Sequence, residues 1–156
     1  MSLLSRKGVL AIAAVIDVAL HSGSRPVSAK ALATRHGLPP RHLEPVLQAL
    51  VHDGILRGIR GPRGGYELGR DRDGITAAEI LRAAGNVDDG SDPILPGSAL
   101  VGKVVLPAIA QAEKLFASAL GQITLTDLTQ RAETFRGPGE AGKTIGFDTR
   151  SDPQAL

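Results

Sequence analysis

The sequence predicts a mainly α-helical chain in which a helix-turn-helix leads into a small β-hairpin and, further on, one long apolar helix. Three observations carry that prediction. Aromatic residues are scarce, with one Tyr, three Phe and no Trp, so a core must come from Ala, Val, Leu and Ile, which suits packed helices rather than an all-β sandwich. Two segments with apolar residues at helical spacing flank Gly37, the arrangement of two helices joined by a tight turn. The stretch LRGIRGPRGGYELG, Leu56 to Gly69, is two β-prone pieces around a glycine and proline turn.

The elements follow in order. Val9 to Leu20 is apolar on nearly every face, so this helix should be covered on all sides, with a second subunit as one source of the cover. Gly23, Arg25 and Pro26 make a turn, after which the Ser28 hydroxyl can cap a helix from Ala29 to His36 that Gly37 ends. A third helix starts near Pro40, where a missing N–H and fixed φ cost nothing, and carries Leu43, Val46, Leu47, Leu50 and Val51 before Gly54. The hairpin then forms a wing. Thr76-Ala77-Ala78-Glu79 is a capping box that opens a helix to about Ala84. From Gly85 to Ser98 the chain is polar and irregular, a connecting loop. In the long helix Val101, Val104, Val105, Ala108, Ala112, Leu115, Phe116 and Ala119 recur at three and four, and Pro107 should either kink it or mark its true start. Thr124 and Asp127 form a second capping box, for a short helix ending near Ala132. After Arg136 the Gly, Pro and polar composition predicts disorder. The chain thus divides into a winged helix-turn-helix domain (1–85), a connecting loop (86–100), a long helix with a short one behind it (101–135) and a tail (136–156).

Composition narrows function. With 156 residues and 42% hydrophobic content the chain can hold one domain with a real core and an added dimerisation element. Zero Cys excludes disulfides, thiolate nucleophiles and cysteine-held zinc or iron–sulfur sites. Met1 to Ile75 carries eleven Lys or Arg against six Asp or Glu, a net +5, while the remainder has seven against ten, a net −3. A basic front half fits a polyanionic partner. The opening segment imitates a signal peptide, but Asp17 interrupts its apolar run and no small-x-small cleavage site follows. Val9 to Leu20 is also shorter than the roughly 20 residues a membrane span needs. The reading is a buried helix and a cytoplasmic protein without a membrane partner.

GPGEAGKT, Gly137 to Thr144, matches the phosphate-loop pattern G-x-x-x-x-G-K-[ST] letter for letter. A working loop needs a buried strand before it and a helix after it. Here the polar, helix-like LTQRAETFR precedes it and twelve residues follow Thr144. The match is read as tail. No Ser/His/Asp or paired-carboxylate arrangement argues for catalysis, and His21, His36, His42 and His52 are scattered without metal-ligand spacing. No catalytic residue, metal or cofactor is assigned.

The residues that fit a function lie in the front half. Arg60 and Arg63 supply charge around Gly61, Pro62 and Gly64 at the hairpin tip, a combination that suits a wing entering the narrow, electronegative minor groove of DNA. Arg41, His42 and Glu44 occupy the first turns of the third helix, where Arg can donate to guanine and Glu can accept from a cytosine amino group. His42 fits a partly buried helix position equally well. Ser5, Arg6 and Lys7 at the start of the first helix, and Ser28 at the start of the second, are placed to hold backbone phosphates.

At this point a resemblance becomes specific. The segment SAKALATRHGLPPRHLEPVLQALVHDGILRGIRGPRGGYELGR is similar to the winged-helix DNA-binding domain of the IscR/NsrR-type regulators, the Rrf family of bacterial transcription factors. Its most specific parts are Leu43-Glu44, Leu50, Gly54 and the wing IRGPRGGYELGR, and the match runs from about Met1 to Ala132. The resemblance implies that Arg60 enters the minor groove, that Glu44 reads a base, and that two chains join through the long helix, here about Gly102 to Leu120. Two departures stand out. Many members hold an iron–sulfur cluster on three cysteines before the long helix, whereas this chain reads NVDDGSDPILPGSALVGK there and has no Cys anywhere. Asp88, Asp89 and Asp92 in that loop fit a solvated acidic loop better than a cation site. Pro45 stands inside the recognition helix where the family usually has Gln, removes the bond from residue 45 to the Arg41 carbonyl, and should bend the first turn.

The expected function is a homodimeric, DNA-binding transcriptional regulator, in the main a repressor, acting on a pseudo-palindromic double-stranded operator. Its signal is not written in the residues: a small molecule between wing domain and long helix, a partner protein, or no effector are each compatible. The rival reading is a winged-helix module repurposed for protein interaction.

Overall fold

The computed structural model describes residues 5–85 and 98–136. The connecting loop with Asp88, Asp89 and Asp92, and the tail with GPGEAGKT, lie outside the described residues. Six α-helices and one hairpin are seen: α1 (Arg6–His21), α2 (Ala29–His36), α3 (Pro40–His52), β1 (Leu56–Ile59), β2 (Gly65–Leu68), a 3-10 turn (Arg72–Gly74), α4 (Ala77–Gly85), a π-helical turn (Val101–Val105), α5 (Leu106–Gly121) and α6 (Leu125–Arg136). The mainly α winged architecture is as the sequence predicts.

Local chemistry sets the boundaries. Gly8 N–H donates to the Ser5 hydroxyl at the start of α1, and Ala31 N–H to Ser28 at the start of α2, both at 3.0 Å. α2 and α3 end alike. Gly37 and Gly54 take left-handed φ values of 62° and 74°, and Leu38 and Ile55 N–H donate back to the Ala33 and Leu50 carbonyls, the Schellman arrangement that satisfies the last helical carbonyls. α3 runs unbroken through Pro45. The Thr76/Glu79 and Thr124/Asp127 capping boxes both close reciprocally.

Core residues come from the four helices of the front half and β1: Ala11, Val15 and Val18 of α1, Leu32 of α2, Leu43, Leu47 and Leu50 of α3, Leu56 of β1 and Ile80 of α4 are essentially inaccessible. α6 returns to this unit, with Leu125 fully buried in the core and its N–H donating to the Ile75 carbonyl at 2.8 Å.

Several expectations need correction. α1 is not covered on all sides within one chain: Val9 is 55% exposed and Leu10, Ile12 and Ile16 are half-buried, because α3, α4 and α6 pack on one side of it. α6 extends to Arg136 rather than ending near Ala132. At Pro107, which lacks the N–H that a regular helix would use, the preceding turn is wound as π, with Leu106 N–H reaching back to the Val101 carbonyl before regular α-helix begins. The helical stretch Val101–Gly121, 21 residues with a mean hydropathy of 1.2 over an 18-residue window, is long and apolar enough to cross a membrane by length and composition, a property the sequence raised only for Val9 to Leu20. Among the described residues, none of this stretch is buried.

Candidate nucleic-acid interface

α3 separates its residues into two faces. Leu43, Val46, Leu47 and Leu50 are buried, so Arg41, His42, Glu44 and Gln48 stand on the exposed side. Their side chains make no hydrogen bond or ion pair among the described residues. Of the two readings for His42, the partly buried one does not hold. Gln48 was missed by the sequence reading, although it lies four residues beyond Glu44 on the same face, where an amide can read adenine.

The wing is rigid at its base and open at its tip. β1 and β2 pair antiparallel with Leu56 opposite Leu68 and Ile59 opposite Gly65. Gly64 N–H donates to the Gly61 carbonyl at 2.9 Å across Pro62-Arg63, and Arg63 keeps negative φ, which matches a type I turn. Arg60, Gly61, Pro62 and Arg63 are exposed. Val27 and Tyr66 exchange both backbone hydrogen bonds, at 2.9 and 2.8 Å, which fastens the wing to the segment leading into α2. Gly65 makes that approach possible, since a Cβ there would sit 2.4 Å from the Val27 carbonyl oxygen.

Charge placement in the helices follows a pattern. The first turns of α1, α2 and α3 contain no acid and carry Arg6 and Lys7, Lys30 and Arg41, whereas α4 and α6 begin with Glu79 and Asp127. A cation at a helix N-terminus opposes the macrodipole and is unfavourable by a few tenths of a kcal/mol or more each. A polyanion laid across those termini reverses the sign of that interaction. The predicted contacts stand at the start of α1 (Ser5, Arg6 and Lys7), on the exposed face of α3 (Arg41, His42 and Glu44) and, for Ser28 with Pro62, Arg63 and Gly64, around one cleft.

Beneath that cleft lies a cluster the sequence did not reveal. Asp17, 5% exposed, receives Arg35 Nε and Nη2, the latter at 2.6 Å, while His36 Nε2 and His21 Nδ1 each lie 3.1 Å from its carboxylate. Burial alone would raise the Asp17 pKa, but the hydrogen bonds from His36 and Arg35 and the charge of Arg35 outweigh it and hold it below the ordinary carboxylate value. Asp17 therefore joins α1 to α2 rather than merely interrupting an apolar run. Two of the four histidines are not scattered, as their spacing suggested, but meet at one carboxylate.

The sequence profile of the Rrf2 family, described as iron-dependent transcriptional regulators, matches residues 4–131. The chain belongs to the Rrf2 family. Among curated relatives, the HTH-type transcriptional regulator IscR of Xenorhabdus nematophila is 40% identical over 89 residues, 57% of this chain and 52% of that protein, so the match spans about half the relative's length. The IscR of Escherichia coli O1:K1 is 37% identical over 89 residues, 57% of this chain and 53% of that protein. Among solved structures, T. potens IscR superimposes with a TM-score of 0.66 at 29% identity, covering 85% of this chain and 90% of that one. CymR, the global cysteine regulator of B. subtilis, gives a TM-score of 0.62 at 30% identity over 84% and 98% of the two chains. Both curated relatives are described as transcriptional regulators.

The iron dependence in the family's description finds no cysteine ligands in this sequence. Among the described residues no three His, Asp or Glu side chains converge in a metal-binding arrangement. Asp17, His21 and His36 come nearest, but Arg35 occupies the carboxylate.

Proposed function

We propose that the chain is a cytoplasmic homodimer that binds a pseudo-palindromic operator sequence-specifically and represses transcription, without a cysteine-ligated cluster. Residues 1–85 form the DNA-binding head and 101–135 the dimerisation arm, joined by 86–100. The observation that carries this reading is the exposed, uncommitted row Arg41, His42 and Glu44 on a helix whose other face is fixed in the core. α3 lies in the major groove, with Arg41 donating to guanine and Glu44 accepting from cytosine. Arg60 enters the minor groove, while Arg63 and the turn of Gly61, Pro62 and Gly64 lie against the phosphate backbone at its edge. Ser5, Arg6, Lys7 and Ser28 hold phosphates, the Ser28 oxygen capping α2 while its hydroxyl proton is left to donate. The arm pairs through Val101, Val104, Val105, Ala108, Ala112, Leu115 and Phe116. Leu115 and Val104 are 71% and 58% exposed in the single chain, and two antiparallel arms would cover this apolar surface. That occupant, rather than lipid, is favoured by Lys103, Glu113 and Lys114 within the same 21 residues.

Regulation then requires a signal that favours one spacing of the two heads. The test is selection of genomic DNA fragments by the purified protein. A shared two-fold-symmetric motif is expected. Salt-sensitive capture with no motif, or no capture, would favour a winged-helix module for protein interaction instead.

A further inference from the structure

The cleft between wing and helix-turn-helix contains more positive charge than the proposed DNA contacts use. Its walls are the end of α1, the turn before α2 and the wing turn, and it encloses about 330 Å³. Arg35 and His21 lie on its floor, both in contact with the Asp17 carboxylate, which offsets the Arg35 charge. Arg25 and Arg63 lie on its rim, both exposed, and neither makes a hydrogen bond or ion pair among the described residues. Ser28, with its hydroxyl turned to the α2 N-terminus, lines the same space.

The rim is built to hold its spacing. The double hydrogen bond between Val27 and Tyr66 fixes the segment that follows Arg25 against the strand that follows Arg63. Gly64 and Gly65 admit no side chain at this junction, since a Cβ on either would lie within 2.4 Å of a backbone oxygen. Two free guanidinium groups thus face one cleft from two elements locked together, above a floor with no uncompensated acid. Unattached, such cations repel each other across the opening. An oxyanion between them removes that repulsion and offers the fork geometry guanidinium prefers.

We infer that Arg25 and Arg63 clamp a single backbone phosphate of the operator between the wing and the α2 N-terminus, setting how deeply the wing enters its groove. This rests on the DNA-binding reading above and adds Arg25 and a single shared phosphate to it. A contact to phosphate carries no base information. It therefore contributes affinity and orientation uniformly across operator sequences.

The experiment uses the full chain and a duplex from the genomic selection, with each backbone phosphate in turn replaced by a neutral methylphosphonate. In the wild type several positions should weaken binding, and at one of them per half-site the replacement should cost less in Arg25→Ala and in Arg63→Ala, and nothing further in the double variant. A dimer that loses this contact in both heads should lower the slope of log affinity against log salt by about 1.8, at roughly 0.9 per phosphate. Unchanged thermal melting of both variants establishes that the fold is intact. The inference is overturned if the methylphosphonate profile of Arg25→Ala keeps every wild-type cost, or if the salt slope is unchanged. A wild type that binds no duplex selectively would sink the regulator reading itself, and this inference with it.

Discussion

Replacing Asp17 by Asn tests how the head holds its two amino-terminal helices together. The change preserves shape and removes the charge. Asp17 accepts from Arg35 through both oxygens, at 2.6 to 3.1 Å, and from the His36 side at 3.1 Å, all nearly out of reach of water. Hydrogen bonds to a charged group contribute about 1.5–3 kcal/mol each, and removing one partner of a buried pair costs about 3–5 kcal/mol. Arg35 retains 16% exposure, so its guanidinium can turn partly to solvent, which places the loss near the lower end, about 3 kcal/mol. For a chain of this length that corresponds to a fall in Tm of about 10 °C. Thermal and urea unfolding followed by circular dichroism, at one fixed protein concentration, reads the difference. Its pH dependence has a definite sign. Because the Asp17 pKa is depressed in the fold, its contribution is fully present above the unfolded value of about 3.9 and disappears as pH falls through the folded value. Wild type and Asp17→Asn should therefore differ at neutral pH and converge in acid. A loss under about 1 kcal/mol, or a gap that widens in acid, would refute the reasoning.

Leu115→Glu places a charge on the most exposed large apolar side chain of α5, so it should weaken dimerisation by about a hundredfold while leaving the head folded; sedimentation should then show the 16.2 kDa single chain at micromolar concentration. Glu44→Ala should relax discrimination at one base pair per half-site by about 1–3 kcal/mol, seen as a widened motif in a repeated selection. Gly65→Ala forces the wing away from Val27 and should cost about 1–3 kcal/mol of stability, with hydrogen exchange accelerated at the Val27 and Tyr66 amides.

Much of the fold was legible because its signals are local. Ser28, Gly37, Pro40 and Gly54 mark helix ends through cap hydrogen bonds, left-handed backbone and a missing N–H, and the two capping boxes need only residues three apart. The hairpin was readable for the same reason. What escaped was set by contacts distant in sequence. Asp17 meets Arg35 and His36 across 18 and 19 residues, and no periodicity announces such a pair. The return of α6 to the core through Leu125 depends on the same kind of contact. In the candidate interface Arg41, His42 and Glu44 could be located because a helix start and an apolar stripe define the opposite face. Arg25 could not, since only the Val27–Tyr66 pairing brings its turn beside the wing. Exposure of the long helix was readable only as an apolar stripe without a visible partner. The chain alone leaves that stripe open.

In the proposed function a fixed α3 and an open wing read one DNA sequence together. Equilibrium titration of the purified protein against its selected duplex and a shuffled duplex, at 50 and 200 mM salt, tests it, with Arg60→Ala alongside. Expected are a preference for the selected duplex of about a thousandfold or more, an affinity that falls steeply between the two salts, and a loss of about tenfold on the selected duplex when Arg60 is removed. Equal binding of the two duplexes, or an Arg60→Ala variant indistinguishable from wild type, would contradict it.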